Sequence, residues 1–262
     1  MHFTKMHGLG NDYLYVYGEA PEDIAALSRR LSDRHFGAGS DGMIYISPSD
    51  AADFKMRIFN ADGSEAMMCG NGIRCVGKYV YDKGYTDKTY LKIETLSGVK
   101  RLQLHVAGGA VKSVTVDMGQ AVAQPERQLS VNGKEYTYTP VSVGNPHAVI
   151  FTDAVNAVPL ETLGPAIERH PDFPGGVNVE FVQILSDTAL RMRVWERGSG
   201  VTMACGTGSC ASVAAAVKNG YCRAGQPVTV MLDGGTLEIT VSEAGEVTMT
   251  GPAETVYEGE TA

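Results

Sequence analysis

The chain has no apolar run near the roughly 20 residues that a helix needs to cross a bilayer. It also has no Cys-x-x-Cys pair, and its basic residues do not outnumber its acids. Against 30 Asp and Glu stand 22 Lys and Arg, a formal net charge of −8. A nucleic-acid surface needs clustered Lys and Arg to neutralise phosphates, so neither nucleic acid nor membrane is an expected partner. Five cysteines in 262 residues are odd in number and too sparse for a disulfide scaffold. They read as reduced thiols of a cytoplasmic protein. The opening Met1-His2-Phe3-Thr4-Lys5-Met6-His7-Gly8 lacks the charged head and apolar core of a secretory signal. Apolar content is not lacking: 44% hydrophobic with 20% charged is a globular composition, and the length suits one large domain or two modest ones. Thirty-one glycines point to many turns, or to backbone that comes close to a ligand.

The sequence repeats itself at half length. At an offset of 136, Met56-Arg57-Ile58-Phe59-Asn60 matches Met192-Arg193-Val194-Trp195-Glu196, and Met67-Met68-Cys69-Gly70-Asn71-Gly72 matches Met203-Ala204-Cys205-Gly206-Thr207-Gly208. Columns 56–85 against 192–221 hold eight identities in thirty without a gap. Weaker echoes precede them in the same order, Gly10-Asn11 with Gly144-Asn145 and Arg34-His35 with Arg169-His170. Two similar halves of about 130 residues are expected, joined near Ala107–Ala110 or Gln120–Gln128.

Short strands are expected at Gly42–Ser47, Phe54–Phe59, Tyr90–Thr95, Arg101–Val106, Ser113–Met118, Val141–Phe151, Val179–Leu185, Ala189–Trp195, Val228–Leu232 and Thr236–Val241. Helices are fewer. Pro21–Leu31 opens with a proline and two acids, and Leu160–His170 is its counterpart. Ile73–Lys83 and Ser209–Asn219 each follow a Cys-Gly-x-Gly turn and stop at a glycine, Gly84 or Gly220, suited to the left-handed helix end. Ala211–Val217 shows almost no polar side, and a helix apolar all round is buried. Each half is therefore expected to wrap a strand-rich layer around one central helix.

Cys69 and Cys205 each stand before a Gly-x-Gly turn at such a helix start. The first N–H groups of a helix lack intrahelical partners, and the macrodipole adds positive charge there. A thiol at that place becomes a reactive thiolate, and the glycines let a carboxylate reach the N–H groups. A single cysteine of this kind is more often a small buried hydrophobe; two at equivalent repeat positions favour chemistry. Cys75 and Cys210 lie within the helices, where packing suffices. The spacings Cys69-x5-Cys75 and Cys205-x4-Cys210 fall outside the short zinc pattern, so no metal is expected. Gly206-Thr207-Gly208-Ser209-Cys210-Ala211 fits a dinucleotide fingerprint, but its counterpart Gly70-Asn71-Gly72-Ile73-Arg74-Cys75 breaks it, and strands and helices do not alternate.

The stretches Asn60–Cys75, Trp195–Gly198, Ala204–Gly208, Gly8-Leu9-Gly10-Asn11-Asp12 and Gly144-Asn145-Pro146-His147 together resemble diaminopimelate epimerase, along the whole length of the chain. The resemblance implies a cofactor-independent isomerase that interconverts LL- and meso-2,6-diaminopimelate, a step toward lysine and peptidoglycan. One cysteine would remove the α-proton as thiolate and the other return one to the opposite face as thiol. The implied fold is α+β, two similar pseudo-symmetric domains with the active site in the cleft between them. Their bounds would be 1–112, with the tail from about 250–262 packing back, and 113–249. A cytoplasmic homodimer acting on a small molecule is implied as well.

Residue by residue, the resemblance makes Asn11, Asn60, Asn71, Asn145 and Asn178 substrate contacts, with Gly70, Gly206 and Thr207 at the helix starts and the pair Glu196 and Arg197. His147 and Glu196 would tune the cysteines. The residues alone leave plainer roles open. Asn11, Asn145 and Asn178 sit in Gly- or Pro-bearing turns, where Asn is common for backbone reasons, and Glu196-Arg197 reads equally as a solvated strand end. Two departures stand out: Gly42, where many members carry glutamine, and Val201, where a polar residue is frequent. A proline or hydroxyproline racemase of the same two-cysteine type is the alternative, although that group usually has His where Asn71 stands.

Overall fold

The structure is a computed structural model that describes residues 1–261; of the expected tail, Ala262 lies outside the described residues. The chain divides into two compact units, Met1–Asp117 together with the chain from Gly251 onward, and Met118–Thr250. The division falls five residues beyond the expected boundary after residue 112, and the strand Ala110–Gln120 runs through both points. The Gly108-Gly109 pair is not a linker. It is the tip of the hairpin between Gly98–Ala107 and Ala110–Gln120, with both glycines at positive φ.

Each unit shows the same order of elements. The first contains helices α1 (Ile24–Ser32) and α2 (Gly70–Asp82), and the second α3 (Leu160–Glu168) and α4 (Gly206–Lys218). Corresponding helices have equal lengths, 9 and 13 residues, and keep the sequence offset of 136. Strand pairing repeats too. Asn11–Tyr17 runs parallel to Gly42–Ser47, which pairs antiparallel with Phe54–Asn60. In the second unit Pro146–Phe151 runs parallel to Asn178–Ser186, which pairs antiparallel with Ala189–Glu196. The fold is thus α+β with internal pseudo-symmetry, each unit a strand-rich layer around one helix.

The central helices begin three residues earlier than the glycine pattern suggests. Cys69 and Cys205 are the N-caps themselves, in extended conformation, each sulfur accepting the N–H of the second glycine, Gly72 or Gly208. A cap acceptor of this kind satisfies an orphan first-turn donor, which draws the Gly-x-Gly into the helix. At the other end Tyr85 and Tyr221 donate to Val80 and Ala216, six-to-one bonds that close both helices around Gly84 (φ +76°) and Gly220 (φ +78°). In α4, Ser209 and Ser212 turn their hydroxyls back to the Cys205 and Gly208 carbonyls, so the helix buries nearly every side chain without stranding a polar group.

The outer helices cover a second core in each unit. Ile24 and Leu31 of α1 pack with Phe3, Leu14, Met43, Tyr45 and Phe59, and Leu160 and Ile167 of α3 pack with Ile150, Val179 and Phe181. α1 begins three residues after Pro21, whose carbonyl accepts from Ile24 to form the turn that precedes it. The continuous strand expected over Val141–Phe151 is two, Lys134–Ser142 and Pro146–Phe151, broken where Gly144 takes φ +85°. That break sets Asn145 in a turn. Strands missed by the alternation rule include His2–Gly8 and Glu254–Glu260, which pair antiparallel with one another.

Candidate active site

In the first unit the site grows outward from the sulfur of Cys69, a partly exposed thiol. It accepts the Gly72 N–H at 3.3 Å and donates to Asn11 Oδ1 at 3.2 Å. Asn11 is itself held, its amide nitrogen donating to Asp41 at 2.9 Å. Asp41 also takes the backbone N–H of Asp12 at 3.0 Å and pairs with Arg34, which bridges to Asp12, itself paired with Lys5 at 2.7 Å. A network of this kind fixes the amide that faces the thiol, the usual work of groups behind a reactive residue. Buried Tyr13 lies beside the same sulfur; burial first, and the Cys69 sulfur second, push its hydroxyl well above its ordinary value. Beneath the helix start Arg74 is fully buried, donating to the carbonyls of Gly70 and Pro252.

Other first-unit candidates lie on the elements around this group. Gly70 and the buried Asn71 form the first turn of α2. Asn60 ends its strand with its amide turned to Ser64 at 3.0 Å, in a turn shaped by Asp62. Gly42 pairs with Asn60 across the sheet, and a Cβ there would come within 2.1 Å of the Phe59 carbonyl oxygen. A glutamine at this position would have no room on this backbone.

In the second unit Cys205 is buried at 5% exposure. Its sulfur accepts the Gly208 N–H at 3.3 Å and lies 3.6 Å from the Thr207 hydroxyl. Burial foremost, then the carboxylates of Glu196 and Glu180, push the Cys205 thiol well above its ordinary value. Glu196 is raised as well, by burial, while hydrogen bonds from Thr202 and Cys205 oppose the shift. His147 is buried; one ring nitrogen meets Glu180 at 2.7 Å and the other Asn145 Oδ1 at 3.0 Å. Asn145 continues to Thr207 at 3.3 Å. Of the expected residues, Thr207 and Glu196 lie at the Cys205 sulfur, and Asn145 and His147 stand behind Thr207 in one hydrogen-bonded chain.

Asn178 and Arg197 form a separate arm. The Asn178 amide donates to the Pro146 carbonyl and accepts the Arg197 N–H at 3.0 Å each, and the Arg197 guanidinium donates to the Gly175 carbonyl at 3.1 Å. Val201, the second departure, is exposed on the short strand that pairs with Trp195 and Glu196. Sequence reasoning missed Glu180, Asp41 and Tyr13. Glu180 alone carried a signal, as the one charge in the apolar run Val179–Val182. Among the described residues no group of three or more His, Cys, Asp or Glu is placed to hold a metal ion, and no helix is long and apolar enough to cross a membrane.

A family model described as diaminopimelate epimerase matches residues 3–124 and 139–256. Proteins named diaminopimelate epimerase from Phocaeicola vulgatus and Acetivibrio thermocellus are 54% and 51% identical to this chain. The first match spans 98% of this chain and 97% of the relative, the second 99% and 98%. Among solved structures, a probable proline racemase from Agrobacterium radiobacter superposes with TM-score 0.77 at 19% identity, covering 100% of this chain and 92% of that one. A hydroxyproline epimerase from Agrobacterium vitis gives 0.75 at 20%, covering 99% and 91%. At such identities the structural likeness shows the fold alone.

Proposed function

The chain belongs to the diaminopimelate epimerase family, and on that premise we infer that it interconverts LL- and meso-2,6-diaminopimelate by passing a proton between Cys69 and Cys205. The observation that carries this reading is the recurrence of one device, a thiol that caps a glycine-opened helix, at equivalent positions of the two units. In the reading, one thiolate removes the α-proton from one face of the substrate and the other thiol protonates the opposite face. The products are a carbon of inverted configuration and a cysteine pair with exchanged protonation. Two thiolates acting on one small substrate would repel, so one thiolate with one thiol is the working state. Burial and the carboxylates around Cys205 favour its thiol form, and in a reversible epimerisation each cysteine serves as the base in one direction.

An α-proton beside a carboxylate is very weakly acidic, so negative charge that develops on removal must be stabilised. The N–H groups of Gly70, Asn71, Gly206 and Thr207 in the first turns of α2 and α4 are the preorganised donors for that charge, and no cofactor takes part in the reading. Asn11, Asn60, Asn71, Asn145, Asn178, Glu196 and Arg197 are assigned to substrate contacts, with His147 and Glu196 also setting the state of Cys205. Diaminopimelate carries a second amino-acid centre, and polar anchors such as Arg197 suit it better than a proline ring. The enzyme would serve lysine and peptidoglycan precursor synthesis as a cytoplasmic homodimer. The oligomer is checked by light scattering of the purified protein.

Incubation with meso-diaminopimelate in D2O tests the chemistry through α-deuterium incorporation. Cys69→Ala and Cys205→Ala should each lose epimerisation while keeping a folded circular dichroism spectrum, because neither thiol can reach the face served by the other. A variant that kept more than a small fraction of wild-type turnover would sink the two-base reading, and dependence of activity on added metal would sink its cofactor-free form. Racemisation of L-proline at a comparable rate would move the chain to the alternative substrate class.

A further inference from the structure

The strand pair that carries Asn11 recurs in the second unit with one charge missing. Tyr13 pairs with Gly42 as His147 pairs with Asn178. Asn11 stands two residues before Tyr13, and Asn145 two before His147. The residue that precedes the partner is Asp41 in the first unit and Val177 in the second. Val177 is buried in the core that α3 covers, with Leu160 and Ile167. There Asn145 reaches Cys205 only by way of Thr207, at 3.3 Å and then 3.6 Å. Asn11 meets the Cys69 sulfur directly at 3.2 Å, with Asp41 behind it. The carboxylate is thus added to the shared plan, at a place where an aliphatic residue serves the fold.

Asp41 decides which end of the amide the sulfur meets. A side-chain amide has a donor end and an acceptor end, and an ionised carboxylate can only accept. Asp41 Oδ2 therefore takes Asn11 Nδ2, at 2.9 Å, and leaves Asn11 Oδ1 to the sulfur. The carboxylate is fixed in turn: its Oδ2 also accepts the Asp12 N–H at 3.0 Å, and its Oδ1 the Arg34 guanidinium at 2.9 Å. Tyr13 engages both Asn11 and the sulfur, but a hydroxyl donates or accepts, so it fits either orientation of the amide. Buried Tyr15 and Cys75 also act on this sulfur, and Arg74 donates to the Gly70 carbonyl beside it. An oxygen aimed at the sulfur accepts from the thiol and repels the thiolate, and an amide nitrogen would do the reverse. The helix start and the Gly72 N–H favour the thiolate, so the Asn11 oxygen opposes them. A base that must remove a very weakly acidic proton gains from that opposition, because a thiolate loses proton affinity as it is stabilised.

We propose that Asp41 is a positioning residue for Cys69: by taking the amide nitrogen of Asn11 it turns the amide oxygen to the sulfur, and so keeps Cys69 a strong enough base for its substrate. Without the carboxylate, Asn11 is free to turn over and donate Nδ2 to the sulfur, which then holds its negative charge more readily and takes up a proton less readily. Arg34 offsets the charge of Asp41 at close range, so the amide is the link through which Asp41 reaches the thiol. The inference rests on Cys69 being one of the two proton-transfer groups, and it adds what sets the strength of that group.

The test is the pH profile of Cys69 alkylation by iodoacetamide, followed by peptide mapping in the wild type, Asp41→Ala, Asn11→Ala and the double variant. The midpoint of the profile marks loss of the thiol proton. Asp41→Ala should move the midpoint to lower pH and raise the rate at about pH 7 about 5-fold. Asn11→Ala removes the acceptor and should move the midpoint the same way. In that background Asp41→Ala should change the rate at about pH 7 by less than about 1.5-fold, because residues acting through one link are not additive. Equal shifts in both Asn11 backgrounds would overturn the proposal, since they are what the carboxylate charge alone would give. An unmoved midpoint in Asp41→Ala would overturn it as well, even with faster alkylation at every pH, which reports only looser packing. If Asp41→Ala fails to fold, Asp41→Asn keeps the outline and is read by the same criteria: the Arg34 cation holds the oxygen that remains, and the new amide nitrogen faces Asn11. Alkylation needs no turnover, so it separates failure of this inference from failure of the two-cysteine reading, which Cys69→Ala reports.

Discussion

A thiol that is buried and flanked by two carboxylates keeps its proton, and the consequence of removing one of those charges has a definite sign. Glu196→Gln removes a group that raises the Cys205 thiol, so more thiolate should exist at a given pH. Iodoacetamide at about pH 8 should alkylate Cys205 several-fold faster in this variant than in the wild type, since the thiolate is the nucleophile. Peptide mapping by mass spectrometry reads the rate, and a slower rate would show that Glu196 serves the thiolate rather than the thiol. Cys75 offers a stability measurement. Burial pushes its thiol to about 11 from an ordinary 9.0. The folded chain keeps a proton that the unfolded chain releases, so this contribution is whole below about 9 and fades as pH rises through about 11. Cys75→Ala should lose less of its urea midpoint than the wild type between about pH 8 and about pH 10.5. At this scale the sequence singles out Cys69 and Cys205 as candidates because the repeat marks them twice. It hid Tyr13 and Asp41, whose roles come from the sheet register, which no local pattern displays.

Among elements, the capping thiols join structure to chemistry. Serine is a strong N-cap and alanine is not, a difference of roughly 1 kcal/mol. Cys69→Ser and Cys205→Ser should therefore be as inactive as the alanine variants in deuterium exchange, yet melt at higher temperature than them in calorimetry. Equal melting temperatures would mean that the sulfur–amide contacts at 3.3 Å contribute nothing to the helix starts. All four helices were legible, the outer pair from Pro21 with its two acids and from the repeat and the central pair from their terminal glycines, but the starts of α2 and α4 were not. Glycine ranks low as a helix former, so Gly-x-Gly reads as a turn until the cap is seen. Glu254–Glu260 escaped for another reason: it is exposed along most of its length and lacks the buried alternation that marks a strand.

For the whole molecule, the division into units is discontinuous in sequence. The strand Glu254–Glu260 lies beside His2–Gly8, with Gly259 against the Phe3 ring and the Tyr257 ring 6.1 Å away, edge-on. Ending the chain at Thr250 would strip His2–Gly8 of this partner and take the Pro252 carbonyl from buried Arg74. Limited trypsin digestion of such a variant should cut first within residues 1–117, while fragments from 118–250 persist. Preferential cutting in 118–250 would mean that the returning strand supports the other unit. The half-length repeat made two similar units legible. The strand continuing through the join was not, because nothing in Ala110–Gln120 changes composition where the units part.

That discontinuity also bears on how the protein is made. Synthesis proceeds from the amino end, and domains generally fold as units while the chain emerges. Met118–Thr250 is one unbroken stretch and can close as soon as it leaves the ribosome. The unit that contains Cys69 must wait, its sheet edge unpaired, for a strand translated after the other unit is complete. The two thiols therefore acquire their finished surroundings in the reverse of the order in which they are synthesised. During that interval the nascent first unit is the part that chaperones would have to shield.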